Sequence, residues 1–487
     1  MIPPLSSDGA VYKRRWLAFG VLLVGAFLPP LDFFIVNVAL PSIRSGLGAD
    51  SAAVQLVISA YAAAYAVLLI TGGRLGDLYG RKRVFLAGLG GFGIASVLCG
   101  LATSPTMLIV GRVLQGVSAA VMAPQALASI HTLFPERERA RALGIYGATI
   151  GLAAIAAQAL GGLLIAANFG GLQWRVIFLI NLPLVAAVFI GGMPLLPDAR
   201  SAHPAPLDRI GVILCALALG FLVVPLVEGP QRGWPWWIGL MLAASPLLAV
   251  AFWRYELALA RRGGIPLVNP ELSRAPGLVT GLVGVLFFYV VTAFFLAFSV
   301  YQQQALGASA LAAGLMFIPC GVGFFIGPLT TPAAIRCFGR WVPALGMALE
   351  VIGCLLLSAA VASAPAAHAP ALPAVVTALW LIGFGQGWAL PTLVRTVIDR
   401  APPGGAGMVA GTVNSALQIS AALGVAVIGG VFFSLAGARP TPLSLAHAFT
   451  VTMLCVAASL AVAALLTVRA ARTRAAATVA ISSDQAA

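Results

Sequence analysis

The sequence predicts an all-α polytopic membrane protein that crosses the bilayer fourteen times. Three observations support this class: the composition, the recurrence of apolar segments of bilayer length, and the alternation of basic residues between successive connections. Of the 487 residues, 61% are hydrophobic and 9% are charged, and the mean hydropathy is +1.02. A soluble chain carries about 25% charged residues, so a soluble fold is excluded. The same hydrophobicity excludes intrinsic disorder.

Apolar segments long enough to cross a bilayer recur along the whole chain. A hydrocarbon core about 30 Å thick requires about 20 apolar helical residues. Such segments lie at 16–40, 52–72, 84–103, 107–129, 142–167, 175–196, 210–228, 236–256, 276–301, 309–332, 342–363, 371–393, 406–434 and 446–468. Because their number is even, both termini are expected on the same side of the membrane.

The basic residues set the expected orientation, since Lys and Arg are enriched in cytoplasmic connections. Of the 28 basic residues, 23 lie in one alternating set of connections and termini, while the other set holds only Arg44, Arg175, Arg232 and Arg439. Both termini are therefore expected in the cytoplasm. The net charge of +14 is explained by this topology, so no nucleic-acid partner is expected. The Ala- and Arg-rich composition is typical of a bacterium, which places the chain in the inner membrane.

Several classes of site have no counterpart in the sequence. The six cysteines are scattered without a CxxC pair and are expected to be free thiols. The four histidines lie in or beside connections, so no metal site is predicted. No phosphate-binding GxxxxGK[ST] loop occurs. We therefore expect no cofactor and no ATP hydrolysis by this chain.

The connection after the second span reads GRLGDLYGRKR over residues 73–83. This closely resembles the signature loop of the major facilitator superfamily, G-x-L-[AG]-D-x-x-G-[RK]-[RK]-[RK]. Its glycines allow tight turns, Asp77 is expected at a helix N-terminus, and Arg81 can pair with Asp77. The resemblance implies a conformational-switch loop formed by Gly73, Asp77, Gly80 and Arg81.

Three further stretches resemble the fourteen-helix drug:proton antiporter branch of this superfamily. They are LDFFIVNVALP at 31–41, RVLQG at 112–116 and WRVIFLINLP at 174–183. Two departures are Ala157-Gln158, where the branch has Gly-Pro, and Leu417, where it has Arg.

The resemblance implies two pseudo-symmetric six-helix bundles with two inserted helices between them. The expected divisions are a cytoplasmic N-terminus at 1–15, the first bundle at 16–196, a linker at 197–209, the inserted helices at 210–256, a linker at 257–275, the second bundle at 276–468, and a disordered cytoplasmic tail at 469–487.

Three charged residues lie inside predicted spans: Asp32, Arg112 and Glu350. Such residues are costly in a bilayer and are functional candidates by default. At 1.5 Å per residue, Asp32 lies ~13 Å and Arg112 ~8 Å from the outer ends of their helices. An ion pair is therefore plausible, either as a proton switch or as a fixed salt bridge between helices one and four. Glu350 is a second proton-coupling candidate or a partner for a cationic cargo group; the alternative is a hydrogen-bonded acid between helices.

Polar and amphipathic residues within the predicted spans are candidates for contact with cargo. They are Asn37, Tyr61, Tyr65, Gln115, Gln158, Trp380, Gln386, Trp388, Asn414 and Gln418. For each of them, helix packing is an equally good explanation. Aromatic walls with a few polar groups suit amphipathic cargo that is cationic or aromatic.

These features favour proton-coupled efflux by alternating access, carried out by a monomer whose partners are the cargo, protons and membrane lipids. A dedicated exporter of one secondary metabolite is the alternative, and uptake by the same fold is less favoured. A membrane enzyme or a channel would require a different arrangement of polar residues, so no enzymatic activity is expected.

Overall fold

The computed structural model describes residues 12–198, 208–268, 270, 275–364, 368–401, 406–437 and 439–484. Within these ranges the chain is helical and contains no strand. The remaining residues, including most of the predicted linker at 197–209 and part of the linker at 257–275, lie outside the described part of the chain.

The described residues form fourteen long helices in the order of the predicted spans. The first eight are α1 (Arg15–Leu47), α2 (Ser51–Tyr79), α3 (Arg81–Gly100), α4 (Pro105–Leu133), α5 (Glu136–Ala167), α6 (Gln173–Leu195), α7 (Arg209–Arg232) and α8 (Trp236–Arg261). The last six are α9 (Leu278–Ala305), α10 (Ile318–Phe338), α11 (Val342–Ala362), α12 (Leu372–Ile398), α13 (Val409–Ala436) and α14 (Pro442–Asp484).

Thirteen stretches of the described residues are long and apolar enough to cross a bilayer. One of them, Ala310–Ala362, contains both α10 and α11, which a short turn at Gly339–Trp341 separates. Gly339 has a φ of 55°, a conformation that glycine adopts without strain. The predicted all-α membrane fold is therefore confirmed, and the helices match the fourteen spans expected from hydropathy.

The last helix differs from the sequence prediction. We expected a disordered tail at 469–487, whereas α14 continues as a helix to Asp484. The segment is rich in alanine, which has the highest intrinsic helix propensity, so a helix can extend beyond its apolar part.

Contacts divide the chain into two compact units. The first comprises Met1–Tyr255 with Ala308–Leu315, and the second comprises Glu256–Gly307 with Met316–Ala487. The inserted helix α7 packs against α2, and most of α8 also belongs to the first unit. The inserted helices thus associate with the N-terminal part of the chain.

Glycines allow α2 and α4 to approach closely in the first unit. A Cβ atom on Gly72 would overlap the backbone carbonyl of Ala120, and one on Gly116 would overlap the carbonyl of Tyr61. Small residues at such crossings let helix backbones come together where lipid offers no hydrophobic driving force. This crossing brings polar side chains of α4 close to the backbone of α2.

Substitution at Gly72 tests this contact. Gly72→Ala should lower the free energy of unfolding by about 1–3 kcal/mol, because the added methyl group overlaps a backbone atom that has little freedom to move. Gly20→Ala on α1 is the control, since nothing lies within 4 Å of the position that its Cβ atom would take. Thermal unfolding of the purified protein in detergent measures both; equal stability of the two variants would contradict the assignment.

Candidate functional site

A buried ion pair joins α1 to α4. α1 passes through Pro29 and Pro30 without interruption and carries Asp32 into the interior of the first unit. Nη1 of Arg112 donates a hydrogen bond to Oδ2 of Asp32, and both side chains are completely buried. The structure thus contains the ion pair that the depths of the two residues suggested. An ion pair without solvent contact is stable only when further hydrogen bonds satisfy both partners.

Arg112 has further partners on α2 and α4. Its Nε donates to the carbonyl of Val57 at 2.8 Å, and its Nη1 also donates to Oε1 of Gln115 at 2.9 Å. The centre of the guanidinium lies 4.3 Å from the centroid of the Tyr61 ring, a distance typical of a cation–π interaction. Nη2 has no hydrogen-bond partner. The guanidinium is thus bound from several sides, and Nη2 is its one nitrogen without a hydrogen-bond partner.

Asp32 receives two more hydrogen bonds at its other oxygen. Oδ1 accepts from Nδ2 of Asn181 at 2.8 Å and from Nε2 of Gln115 at 3.1 Å. The same two amides donate to Oγ of Ser96, at 3.3 Å and 2.9 Å respectively. We call Asp32, Ser96, Arg112, Gln115 and Asn181 the Asp32 network. It draws side chains from α1, α3, α4 and α6, and none is more than 1% exposed.

Sequence reasoning found part of this network. Ser96 was missed, and Asn181 was noticed within the sixth-helix motif without a role. Gln115 was expected to contact cargo, but it lies inside the network because it follows Arg112 by three residues and so shares its face of α4. The three-residue spacing from Arg112 was the sequence signal that could have placed Gln115 in the network. No comparable signal marks Ser96 in an apolar helix.

The other cargo candidates of the first unit mostly face neighbouring helices. Asn37 and Gln158 both donate to the carbonyl of Phe34 at 3.1 Å, and the Tyr61 hydroxyl donates to the carbonyl of Pro29 at 3.1 Å. All three donor residues are at most 2% exposed, whereas Tyr65 is half-buried. In this conformation Tyr61 and Gln158 therefore tie α2 and α5 to α1, whereas the Asn37 hydrogen bond lies within α1.

The cargo candidates of the second unit include an aromatic row on α12. The rings of Trp380 and Phe384 stack with centroids 4.8 Å apart and planes 12° apart, and Trp388 follows at 5.0 Å from Phe384. Nε1 of Trp388 donates to Oγ1 of Thr330 at 2.8 Å. We call Trp380, Phe384 and Trp388 the aromatic stack. Trp380 is 36% exposed and the other two rings are half-buried, so the stack presents ring faces outside the unit's core.

Three polar candidates and Glu350 complete the survey of the second unit. Gln386 is buried, Asn414 on α13 is exposed and Gln418 is half-buried. Glu350 on α11 is completely buried, and neither of its oxygens has a hydrogen-bond partner. Glu350 therefore differs sharply from Asp32, whose oxygens are both paired.

The signature loop is a tight turn between α2 and α3. Gly80 alone separates the two helices and has a φ of 97°. Asp77 was expected at a helix N-terminus, but it lies in the last turn of α2, because that helix continues to Tyr79. Its carboxylate pairs with Arg81, the first residue of α3, at 3.4 Å, and Arg81 also donates to the carbonyl of Ala128 on α4 at 2.8 Å.

Gly73, the remaining loop candidate, lies within α2 and faces Pro124 of α4. The loop thus joins three helices of the first unit.

Metal chemistry has no support in the described residues. They contain no group of three or more His, Cys, Asp or Glu side chains that could hold a metal ion. None of the six cysteines, all of which lie in the described ranges, forms a disulfide bond in the structure.

Comparison with known proteins identifies the family. The sequence profile described as Major Facilitator Superfamily matches residues 22–425. The chain belongs to this superfamily. It is accordingly a multi-pass membrane transporter and not an enzyme, as the signature loop indicated. A solved structure of a POT family transporter in complex with 5-aminolevulinic acid shares the fold, with a TM-score of 0.68 and 15% identity over 96% of this chain and 99% of that one.

Relatives in the superfamily extend over most of the chain. The protein named "Probable actinorhodin transporter" of Streptomyces coelicolor is 36% identical over 88% of this chain and 74% of its own length. A puromycin resistance protein of Streptomyces alboniger is 36% identical over 86% of this chain and 82% of its own length. A multidrug resistance protein of Mycobacterium tuberculosis is 30% identical over 86% of this chain and 76% of its own length.

Removing one member of the ion pair tests the energetics of the Asp32 network. Arg112→Met should lower the free energy of unfolding by about 3–5 kcal/mol, because it leaves a buried carboxylate without its counter-charge. The double variant Asp32→Leu/Arg112→Met should recover much of that loss, since an apolar pair requires no compensation. Thermal unfolding in detergent measures all three proteins. A double variant no more stable than Arg112→Met would show that the two charges are not coupled.

Proposed function

We propose that this member of the superfamily is a proton-coupled exporter of amphipathic compounds that works by alternating access. The Asp32 network carries the proposal. It holds an acid that can exchange a proton next to a permanently charged guanidinium, in a span where neither charge can rely on water. Such an arrangement favours two states that differ by one proton.

The contacts around Arg112 suggest how a proton changes the preferred state. When Asp32 takes up a proton, its attraction to Arg112 is lost, and the guanidinium becomes a buried charge without a counter-ion. Its remaining bonds to Val57 and Gln115 keep it near its place. The cation is then most stable in a conformation that admits water to it. Proton binding on one side and release on the other would thus drive the alternation.

The free energy that one proton supplies is comparable to the cost of breaking the Asp32–Arg112 ion pair. Moving one elementary charge across a membrane potential supplies about 2.3 kcal/mol per 100 mV, so a proton-motive force of about 150 mV supplies roughly 3.5 kcal/mol. Breaking a buried ion pair costs about 3–5 kcal/mol. Since 1.4 kcal/mol corresponds to a factor of ten, one proton can support a gradient of roughly 300-fold for an uncharged cargo.

The proposed cargo is a small amphipathic molecule, cationic or aromatic in character. The aromatic stack supports this, because half-buried ring faces bind planar rings by stacking and cations through their π electrons. The relatives named for drug resistance or for transport of a compound support a small-molecule cargo. Dedicated export of one secondary metabolite is the second candidate. The names of the two Streptomyces relatives, each of which mentions a single compound, favour it.

The remaining parts of the proposal follow the sequence. The chain would lie in a bacterial inner membrane with both termini in the cytoplasm, because its basic residues accumulate on that side. It would work as a monomer and without a cofactor, with the proton gradient as the energy source.

Drug-driven proton movement tests the coupling. In energised everted vesicles, addition of cationic dyes or antibiotics should reduce ΔpH with the wild type and not with Asp32→Asn, whose side chain cannot exchange a proton. A fluorescent pH indicator measures the change. The control is Asp208→Asn, which alters an acid of the first unit that caps α7 and lies outside the Asp32 network.

Either of two results would be decisive against this proposal. If a broad panel of cationic and aromatic compounds moves no protons with the wild type, multidrug antiport fails and dedicated export becomes the better proposal. If Asp32→Asn keeps full coupling, the ion pair is only a structural link between helices.

A native thiol tests the orientation. Cys337 is exposed near the end of α10, in a connection that also holds Arg336 and Arg340 and is expected on the cytoplasmic side. A membrane-impermeant maleimide should therefore label it in everted vesicles and not in right-side-out vesicles. Cys337→Ser provides the background from the half-buried thiols Cys215 and Cys455. Labelling that appears only in right-side-out vesicles would reverse the topology.

A further inference from the structure

Glu350 lies where three helices of the second unit are held together by glycines. A Cβ atom on Gly385 of α12 would lie 2.9 Å from Cγ of Glu350, and one on Gly346 of α11 would lie 2.6 Å from the carbonyl of Gly385. A Cβ atom on Gly383 would overlap the carbonyl of Cys320 on α10. We call Gly346, Gly383 and Gly385 the glycine contact.

The carboxyl has no partner in this contact. Both of its oxygens are buried without a hydrogen bond, and no cation pairs with it among the described residues. The titratable groups within its electrostatic reach are the thiols of Cys320 on α10 and Cys354 on its own helix. A carboxylate in this place would be an uncompensated buried charge, which is far more costly than a neutral acid. In this conformation Glu350 therefore carries its proton.

The tight packing also excludes one role that the sequence left open for Glu350, the binding of a cationic group of the cargo. A cationic cargo group would have to reach the carboxyl between helices whose backbones are already in contact. A proton requires no such space. Exchange of that proton does require water, however, so the helices must separate whenever Glu350 ionises.

We propose that Glu350 is a second proton-binding site, and that its ionisation opens the glycine contact between α11 and α12. This rests on the proton-coupled export proposed above and adds to it. α12 is suited to such movement, because Gly383, Gly385 and Gly387 leave three of five consecutive positions without a side chain. Phe384 lies between the first two of these glycines and belongs to the aromatic stack. Loss of the proton from Glu350 therefore moves the rings that we assign to cargo binding.

The second site changes which gradient drives export. Exchange of one proton for one monovalent cation moves no net charge, so the membrane potential does no work on it. With a second proton carried by Glu350, each cycle moves one net charge. A membrane potential alone then drives the export of a monovalent cation.

Infrared difference spectroscopy tests the proton site without any transport. Full-length protein in lipid is titrated from acid to alkaline pH, and the C=O stretching band of a buried carboxylic acid is followed. We expect a band that disappears at alkaline pH, returns on acidification, and is absent from Glu350→Gln. The matched control is Glu256→Gln, which alters another fully buried glutamate, one that accepts a hydrogen bond from the Val268 N–H at 2.9 Å. This variant should keep the band. A Glu350 band absent or unchanged at every pH overturns the proposal.

Transport in proteoliposomes tests the charge balance. At equal pH on both sides, a membrane potential should drive export of a monovalent cationic dye by the wild type, and Glu350→Gln should lose this response. The variant should retain exchange driven by ΔpH through Asp32, which also shows that it is folded. An unchanged response of Glu350→Gln to the potential overturns the second site. If the wild type moves no dye under either gradient while the infrared band titrates, the export proposal fails and the proton site stands.

Discussion

A charge inside the hydrocarbon core must be compensated by protein groups, and the Asp32–Arg112 pair is where this chain meets that constraint. Neither partner reaches water, so their remaining hydrogen bonds must come from neighbouring helices. The amides of Gln115 and Asn181 and the carbonyl of Val57 supply most of them, and the Ser96 hydroxyl in turn accepts hydrogen bonds from both amides. The close crossing of α2 and α4 brings the Val57 carbonyl within reach. The close packing of α2 against α4 in the first unit thus also stabilises the buried charges.

The sequence predicted the number and order of the helices, because hydropathy and the alternation of basic residues are properties of the chain alone. It also suggested the Asp32–Arg112 pair, since both depths follow from helix rise. It did not reveal that Ser96 and Asn181 join that pair. Their helices are apolar on all sides, so the rotation that decides whether a side chain faces the interior or lipid leaves no periodic pattern. Asp77 was misplaced for a related reason: hydropathy fixes the middle of a span better than its end.

Two buried acids of this chain have opposite surroundings. Asp32 has a guanidinium and two amide donors, whereas Glu350 has backbone glycines and two thiols. The first environment stabilises a charge and the second stabilises its absence. This contrast lies entirely in the contacts, because the sequence marks both residues only as isolated acids within apolar spans.

The position of the aromatic stack has a consequence for how such proteins diversify. Trp380, Phe384 and Trp388 belong to α12, whereas the Asp32 network is built by α1, α3, α4 and α6. A change in ring size or polarity on α12 leaves the compensation of the Asp32–Arg112 charges untouched. In the proposed exporter, the cargo contacts of the aromatic stack can thus change by single substitutions while the Asp32–Arg112 part of the proposed proton coupling is inherited intact. On this proposal, selection by a new compound would act on the aromatic stack without disturbing the Asp32–Arg112 pair.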